Sequence, residues 1–174
     1  MQRLRVRQAQ AADAPILCAA ERETALVPGR LISLPHELRE SAFTQKIEEL
    51  AQNGRYLVAE RDGRIVGHAL LEPLAPLRAL GHVRSLTIVV HPGNQRRGIG
   101  AMLMVALLDW ARASGNVSKI ELRVREGNEA AMKLYKKFGF VEEGRFRKRI
   151  RLVDGSELDD VCMALFFPYA SSRS

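Results

Sequence analysis

Short apolar runs and helix-spaced apolar positions alternate along this chain. Runs rich in β-branched and aromatic residues predict strands at 4–7, 56–61, 65–74, 83–90, 119–124, 145–152 and 158–166. Apolar residues three and four positions apart predict helices at 14–26, 36–52, 99–113 and 129–138. The third helix is the clearest, because Leu103, Leu107 and Trp110 share one face. The predicted order of elements is therefore β-α-α-β-β-β-α-β-α-β-β.

Turn and cap residues support these boundaries. Asp62-Gly63 and Asp154-Gly155 are hairpin signals between pairs of strands. Asp13 stands before the first helix as a capping residue, and Gly115 ends the third helix. Because hairpins are mixed with helical crossovers, we expect a mixed sheet and an α+β class, which some schemes count as α/β.

Length and composition exclude several classes of protein. The 174 residues predict one domain over 1–170 with a frayed tail at 171–174, and 47% hydrophobic content argues against disorder. No apolar run approaches the roughly 18 residues that cross a bilayer, and no leader is evident, so we expect a cytoplasmic protein without a membrane partner. Cys18 and Cys162 lack metal-ligand spacing. They predict no metal site, and we interpret them as buried thiols in a reducing compartment.

The net charge of +7 favours an anionic partner, which nucleic acid, an anionic cofactor or an acidic surface would each satisfy. The most basic stretch is 145–151, where strand alternation would place Arg145, Arg147, Arg149 and Arg151 on one side. Phe146 is its only aromatic residue. Because stacking aromatics are otherwise missing, a solvated sheet edge is the better interpretation and nucleic acid is an unlikely partner.

One segment has the features of an anion site. The strand at 83–90 is followed by a glycine-containing loop, and a helix begins near Ile99. The first N–H groups of a helix have no intrahelical partner and carry partial positive charge, which suits a phosphate. Gly98 and Gly100 leave room for such a ligand, and Arg96 and Arg97 add charge. No Gly-Lys-Ser/Thr triplet occurs, and Leu103 stands where a dinucleotide fingerprint has glycine, so both of those motifs fail.

Two motifs resemble the GCN5-related N-acetyltransferase (GNAT) superfamily. The run 95–100, Gln-Arg-Arg-Gly-Ile-Gly, matches its Gln/Arg-x-x-Gly-x-Gly/Ala signature. Asn128 then opens a short helix that carries Tyr135 and ends in Gly139-Phe140, a second family feature. The resemblance implies acetyl-CoA as cosubstrate and a three-layer α-β-α fold around a mixed, splayed sheet of about six to seven strands. The ending at 143–165 looks like a bacterial branch that acetylates free amino acids or other small amines.

The resemblance also implies roles for individual residues. The arm of the coenzyme would pair with the strand ending at Val90, in the gap where the strands 83–90 and 119–124 splay apart. Tyr135 would point its hydroxyl at the coenzyme sulfur and act as general acid. The implied cofactor-binding residues are Ile88, Val89, Val90, Gln95, Arg96, Arg97, Gly98, Ile99, Gly100, Ala101, Asn128, Ala131, Tyr135 and Lys137.

The sequence does not identify the general base. Relatives that act on protein N-termini have a glutamate on the strand before the asparagine, where this chain has Arg123. Glu72 and Glu121 are the candidates that we name, with His68 and His82 as further ones. Asp159 and Asp160 point to opposite faces of a strand, so at most one of them could bind a substrate ammonium group.

The function expected from these motifs is acetyl transfer from acetyl-CoA to the primary amine of a small molecule, with amino acids among the candidates. A protein N-terminus or lysine is the alternative acceptor, and a non-catalytic acyl-CoA-binding or nucleic-acid-binding module is the second alternative. A closed wall formed by the segment 27–36 would favour the small molecule. The apolar segment 163–167 would permit a homodimer but equally fits a core strand.

Overall fold

The structure, a computed structural model, describes residues 4–168 and contains one seven-stranded sheet and four α-helices. The predicted tail at 171–174 and the predicted domain end at 170 lie outside this range. The strands are β1 (Leu4–Gln8), β2 (Arg55–Arg61), β3 (Arg64–Pro73), β4 (Val83–Val90), β5 (Lys119–Arg125), β6 (Val141–Arg151) and β7 (Glu157–Phe166). The helices are α1 (Ala14–Ala25), α2 (Glu40–Asn53), α3 (Ile99–Ser114) and α4 (Glu129–Lys137).

The strand order is β1-β2-β3-β4-β5-β7-β6, and only the β4–β5 pair is parallel. The sheet is therefore mixed, and the predicted α+β class is confirmed. One face packs on α3 and α4, with Leu103 and Leu107 fully buried. The other face packs on α1 and α2 through a second core that includes Leu17 and Phe43. Helices thus cover both faces, as the three-layer prediction requires.

The opening that was expected between two central strands is present. β4 and β5 pair only through Val83–Lys119, Arg84–Ile120 and Ser85–Glu121. Beyond Ser85, β4 stays paired with β3, whereas β5 stays paired with β7. The backbone groups of 86–90 that face β5 therefore have no strand partner within residues 4–168.

Three local predictions need correction. The second helix begins at Glu40 rather than at 36, because a short 3₁₀ turn at Pro35–Glu37 is followed by extended backbone at Leu38 and Arg39. Asp13 precedes α1 but makes no side-chain cap bond to it. Instead, its carboxylate accepts bonds of 2.8 and 3.0 Å from Arg7. The Asp62-Gly63 hairpin itself is confirmed, with φ of 50° and 77° at its two residues.

The third correction concerns β6, which is an edge strand as expected. Its register against β7 shifts between Phe146 and Ile150, and Lys148 has a φ of 50°. This bulge turns Arg149 to the side of Phe146, whose ring centroid lies 4.4 Å from its guanidinium carbon. The prediction that four arginines share one side of this strand is therefore wrong.

No helix within residues 4–168 is both long enough and apolar enough to cross a membrane.

Candidate active site

The loop between β4 and α3 has the backbone geometry of an anion site. Gly98 stands at the N-cap of α3 with a φ of 75°, and Arg96 also has a positive φ, 60°. The first helical bond is donated by Met102 to the carbonyl of Gly98, so the preceding amides of α3 have no helical partner. A Cβ at Gly98 would meet nothing within 4 Å, which shows open space in front of these amides.

A first cavity of about 330 Å³ lies in front of this loop, on the α3–α4 side of the opening between β4 and β5. Twelve of the predicted cofactor-binding residues line it: Ile88, Val89, Val90, Gln95, Arg96, Gly98, Ile99, Gly100, Ala101, Asn128, Ala131 and Tyr135. Arg97 and Lys137, which were also predicted, do not line it.

The sequence did not indicate six further residues of the first cavity: Thr24, Arg30, Leu31, Asn94, Ala130 and Leu134. Asn94 directly precedes the first motif, and Ala130 and Leu134 lie within the second. All three could have been included in the prediction. Thr24, Arg30 and Leu31 come from the end of α1 and the segment after it, and no local signal connects them with the glycine loop.

Helix α4 places Asn128 and Tyr135 at the first cavity. Asn128 is the N-cap of α4, and its side-chain oxygen accepts a 3.5 Å bond from the amide of Ala131. The approach of the two helices is close, because a Cβ at Gly100 would lie 3.0 Å from Cδ2 of Leu134. A glycine at the start of α3 therefore allows α4 to carry its side chains to the same cavity.

Tyr135 is 7% exposed, and its ring packs against Phe140 with 5.8 Å between the ring centroids. Burial raises the pKa of Tyr135 to about 12, although the positive charge of Arg125 acts in the opposite direction. The phenol therefore stays protonated at neutral pH, and its hydroxyl can act as a hydrogen-bond donor in the cavity.

A second cavity, of about 380 Å³, lies on the other side of the same opening. Its polar lining includes Ser85 and Thr87 of β4, Glu121 and Arg123 of β5, and Glu143 of β6, and Phe146 of β6 lies among them. Ser85 and Glu121 form the last β4–β5 pair before the opening. The two cavities therefore flank the point where the strands separate.

Of the candidate bases, the two glutamates lie in one row across the sheet. Glu72 is opposite Ser85 on one side, and Glu121 is opposite Ser85 on the other. Each is held by a lysine: Glu72 by Lys46, and Glu121 by Lys119 at 2.8 Å. Only Glu121 lines the second cavity.

The two histidine candidates are placed differently. His68 is fully buried and hydrogen-bonded on both sides, 2.8 Å from Glu21 and 2.9 Å from His91. Burial, with a smaller contribution from His68, lowers the pKa of His91 to about 3. His82 is exposed and lines a third cavity with Arg112 and Phe167, so it does not reach the opening.

Asp159 and Asp160 lie on opposite sides of β7, as the alternation predicts. Asp159 accepts a 2.9 Å bond from the amide of Lys148. Asp160 is 0% exposed, and the nearest guanidinium nitrogens of Arg125 and Arg149 are 3.7 and 3.8 Å away. Neither aspartate therefore presents a free carboxylate to either cavity.

The two thiols also differ from each other. Cys18 is buried in the α1–α2 core as predicted, whereas Cys162 is only half-buried and lines the second cavity.

Comparison with known proteins decides the family. A sequence model described as "Acetyltransferase (GNAT) family" matches residues 20–140. The chain belongs to the GNAT family of acetyltransferases. It is therefore an acetyl-CoA-dependent acyltransferase, with acetyl-CoA as the acetyl donor.

Curated relatives of this GNAT protein are N-acetyltransferases. It is 39% identical over 120 residues to the N-alpha-acetyltransferase RimI of Mycobacterium tuberculosis, over 67% of this chain and 69% of that one. It is 35% identical over 111 residues to the L-amino acid N-acetyltransferase AaaT of Escherichia coli, over 63% and 67%. It is 34% identical over 116 residues to a mycothiol acetyltransferase of Acidimicrobium ferrooxidans, but the match spans 66% of this chain and only 36% of that protein.

Solved structures show the same fold. The structure of yncA from Salmonella typhimurium with its cofactor acetyl-CoA has a TM-score of 0.89 and 20% identity, covering 99% of this chain and 98% of that one. The free amides of α3 and the open space before Gly98 fit the phosphates of this cosubstrate, and the unpaired edge of β4 fits its amide-containing arm.

Proposed function

We propose that this enzyme acetylates the primary amine of a small molecule, with free amino acids among its acceptors. The proposal rests on the segment 27–36 between α1 and α2, which packs against β7 and borders the first cavity. A Cβ at Gly29 would lie only 3.3 Å from Cδ1 of Leu158 in β7. Arg30 and Leu31, the next residues, line the first cavity. A wall at this place leaves less room for a protein segment than for a small molecule.

In the proposed reaction the acceptor enters from the second cavity and meets the thioester at the opening between β4 and β5. The neutral amine nitrogen forms a bond with the thioester carbonyl carbon, and the carbon–sulfur bond then breaks. The nitrogen loses one proton and the departing thiolate gains one, so the products are an N-acetyl amine and the free thiol of the coenzyme. A backbone amide of Val89 or Val90 would polarise the carbonyl.

Tyr135 would donate its hydroxyl hydrogen to the departing sulfur. A model thiol has a pKa of about 8.5, below the value of about 12 for Tyr135. Full transfer from the phenol alone is therefore uphill, and a hydrogen bond that strengthens as the thiolate forms is the main contribution. The phenol would be reprotonated from solvent.

For the proton that the amine loses, we propose Glu121 as acceptor, directly or through one water. Both glutamates are paired with a lysine, but Glu121 lines the second cavity at the last β4–β5 pair, whereas Glu72 lines neither the first nor the second cavity. Glu121→Gln should lower kcat/KM about tenfold, because water can replace part of its role. Glu72→Gln is the matched control on the same row of the sheet and should change kcat/KM less than about twofold. Equal losses in steady-state assays of the two variants would contradict the assignment.

The acceptor class is tested by following thiol release from acetyl-CoA. Free amino acids and other small amines are compared with peptides that have a free N-terminus and with peptides that offer only lysine. We expect the best small amine to exceed the best peptide in kcat/KM by at least about tenfold, because the segment 27–36 narrows the space beside the first cavity, where the thioester would lie. The reverse order would support protein acetylation. Acetyl-CoA binding without any turnover would support a non-catalytic module.

Protein N-terminal acetylation is the second candidate, since the chain is similar to RimI of Mycobacterium tuberculosis, an N-alpha-acetyltransferase. The cytoplasmic location, the reducing compartment and the homodimer stay predictions. For the dimer, Met163 and Ala164 are core residues of β7, an internal strand, whereas Phe166 is exposed.

A further inference from the structure

Three arginines lie in or beside the second cavity, and their charges are only partly matched. Arg123 and Arg125 line it, and Arg149 lies beside them at the ring of Phe146. Two carboxylates of the cavity, Glu121 and Glu143, are both bound by Lys119, at 2.8 and 3.0 Å. Those two carboxylates are therefore paired with Lys119 and not with an arginine of the cavity.

Asp160 is a buried acid near these arginines, and its carboxylate lacks close partners. Its oxygens are 3.7 Å from Arg125 and 3.8 Å from Arg149, beyond hydrogen-bond distance. Within residues 4–168 neither oxygen of Asp160 has a hydrogen-bond partner, and neither has Nε of Arg125. One buried carboxylate at such distances leaves most donors of two guanidinium groups free.

Arg123 is the free cation of the group. No carboxylate lies within 4.0 Å of it in the described part of the chain, whereas Arg125, Arg145, Arg149 and Arg151 all have one. Its guanidinium carbon lies 5.2 Å from the ring centroid of Phe146. A guanidinium that stacks on an aromatic ring keeps the N–H groups at its edge available for a planar anion.

The three arginines lie close to the proposed site of acetyl transfer. Arg125 lines the second cavity, and its charge acts on the pKa of Tyr135 in the first. Glu121 and Arg123 are neighbours on the same face of β5, two residues and therefore about 7 Å apart. An acceptor with its amine near Glu121 would thus have Arg123 within reach of a carboxylate on the adjacent carbon.

From these observations we infer that the second cavity binds the carboxylate of a free α-amino acid, with Arg123 as the residue that recognises it. The inference rests on the proposed acetylation of small amines and specifies its substrate class. A peptide N-terminus has an uncharged amide at the position of that carboxylate, so it would leave Arg123 without a partner. A carboxylate forms two parallel bonds with a guanidinium, and such charge-assisted bonds are the strong ones.

The test compares L-leucine with L-leucinamide as acceptors, and then other amino acids with their own amides. The amine of the amide is less basic, so a larger fraction of it is neutral and able to attack at the assay pH. A preference for the free acid therefore requires recognition of the carboxylate. We expect wild-type kcat/KM to be at least about tenfold higher for the acid. Arg123→Gln should remove this preference by lowering kcat/KM for leucine about tenfold, with leucinamide and the acetyl-CoA Kd changed less than about twofold.

Arg147→Gln is the matched control, because it removes one arginine from the edge strand β6, and Arg147 does not line the second cavity. It should leave the preference intact, whereas Arg123→Lys should keep only part of it. Equal use of acid and amide by the wild type would overturn the inference, and so would equal effects of the Arg123 and Arg147 variants.

A binding measurement separates this inference from the proposed function. L-leucine is titrated calorimetrically into the wild type and Arg123→Gln, each saturated with coenzyme A. Binding by the wild type that Arg123→Gln loses would support the carboxylate site even if no amine were acetylated, and only the proposed function would then fail. A folded wild type that does not bind leucine would overturn the inference, whatever other amines it acetylates.

Discussion

Tyr135→Phe is expected to lower kcat about 100-fold and to change the Kd for acetyl-CoA less than about twofold. The substitution removes one hydroxyl and keeps the ring that packs on Phe140. Because burial holds the pKa of Tyr135 near 12, the wild-type group is a neutral donor over the whole range in which the enzyme would be assayed. The hydroxyl is therefore worth most when charge develops on the sulfur, in the transition state, and little when acetyl-CoA is merely bound.

Steady-state rates of thiol release give kcat, and a calorimetric titration gives the Kd for acetyl-CoA. Tyr56→Phe is the matched control, because it also removes a buried phenolic hydroxyl, but from the core on the α1–α2 side. That variant should keep kcat within about twofold. If Tyr135→Phe also kept its kcat, the tyrosine would be a packing residue of α4 and the proposed general acid would be lost.

The parts of the site that a sequence can predict are those made by neighbouring residues. The glycine loop and the start of α3 lie in one stretch of chain, so the free amides, the positive φ at Gly98 and the space before it follow from local rules. Asn128 and Tyr135 stand in one helix, and their spacing fixes their common direction. The segment 27–36 was named as a possible wall, but its contact with Leu158 depends on how distant elements pack.

The second cavity was not predicted for the same reason. Its residues come from β4, β5, β6, β7 and the end of β3, and only the pairing of these strands brings them together. The bulge in β6 adds a second difficulty, because the residue with positive φ there is Lys148 and not a glycine. Simple alternation placed Arg149 beside Arg145, whereas the bulge places it at Phe146 and Asp160. The basic strand therefore looked like a solvated edge, although part of it borders the second cavity.

Gly98→Val is expected to weaken acetyl-CoA binding about 100-fold. Gly98 has a φ of 75°, a conformation that a β-branched residue avoids, and the space before it belongs to the first cavity. Valine would fill the place where the phosphates approach the amides of α3 and would also tilt those amides away. Both effects would act on the phosphates, the charged part of acetyl-CoA that we expect at this loop.

The strain of this substitution must be separated from its effect on the site, and the same helix offers the means. Gly115 ends α3 with a φ of 70°, and a Cβ there also meets nothing within 4 Å. Gly115→Val should therefore cost a similar amount of stability, about 1–2 kcal/mol in denaturant unfolding, but leave the Kd for acetyl-CoA within about twofold. If the two variants bound acetyl-CoA equally, α3 would not present its first amides to the coenzyme, and the loop at 95–100 would be only a turn. If the two variants were equally stable and only Gly98→Val lost acetyl-CoA binding, the amides at the start of α3 would be the anion site. Both variants carry the same backbone strain, and they differ in which end of α3 is changed.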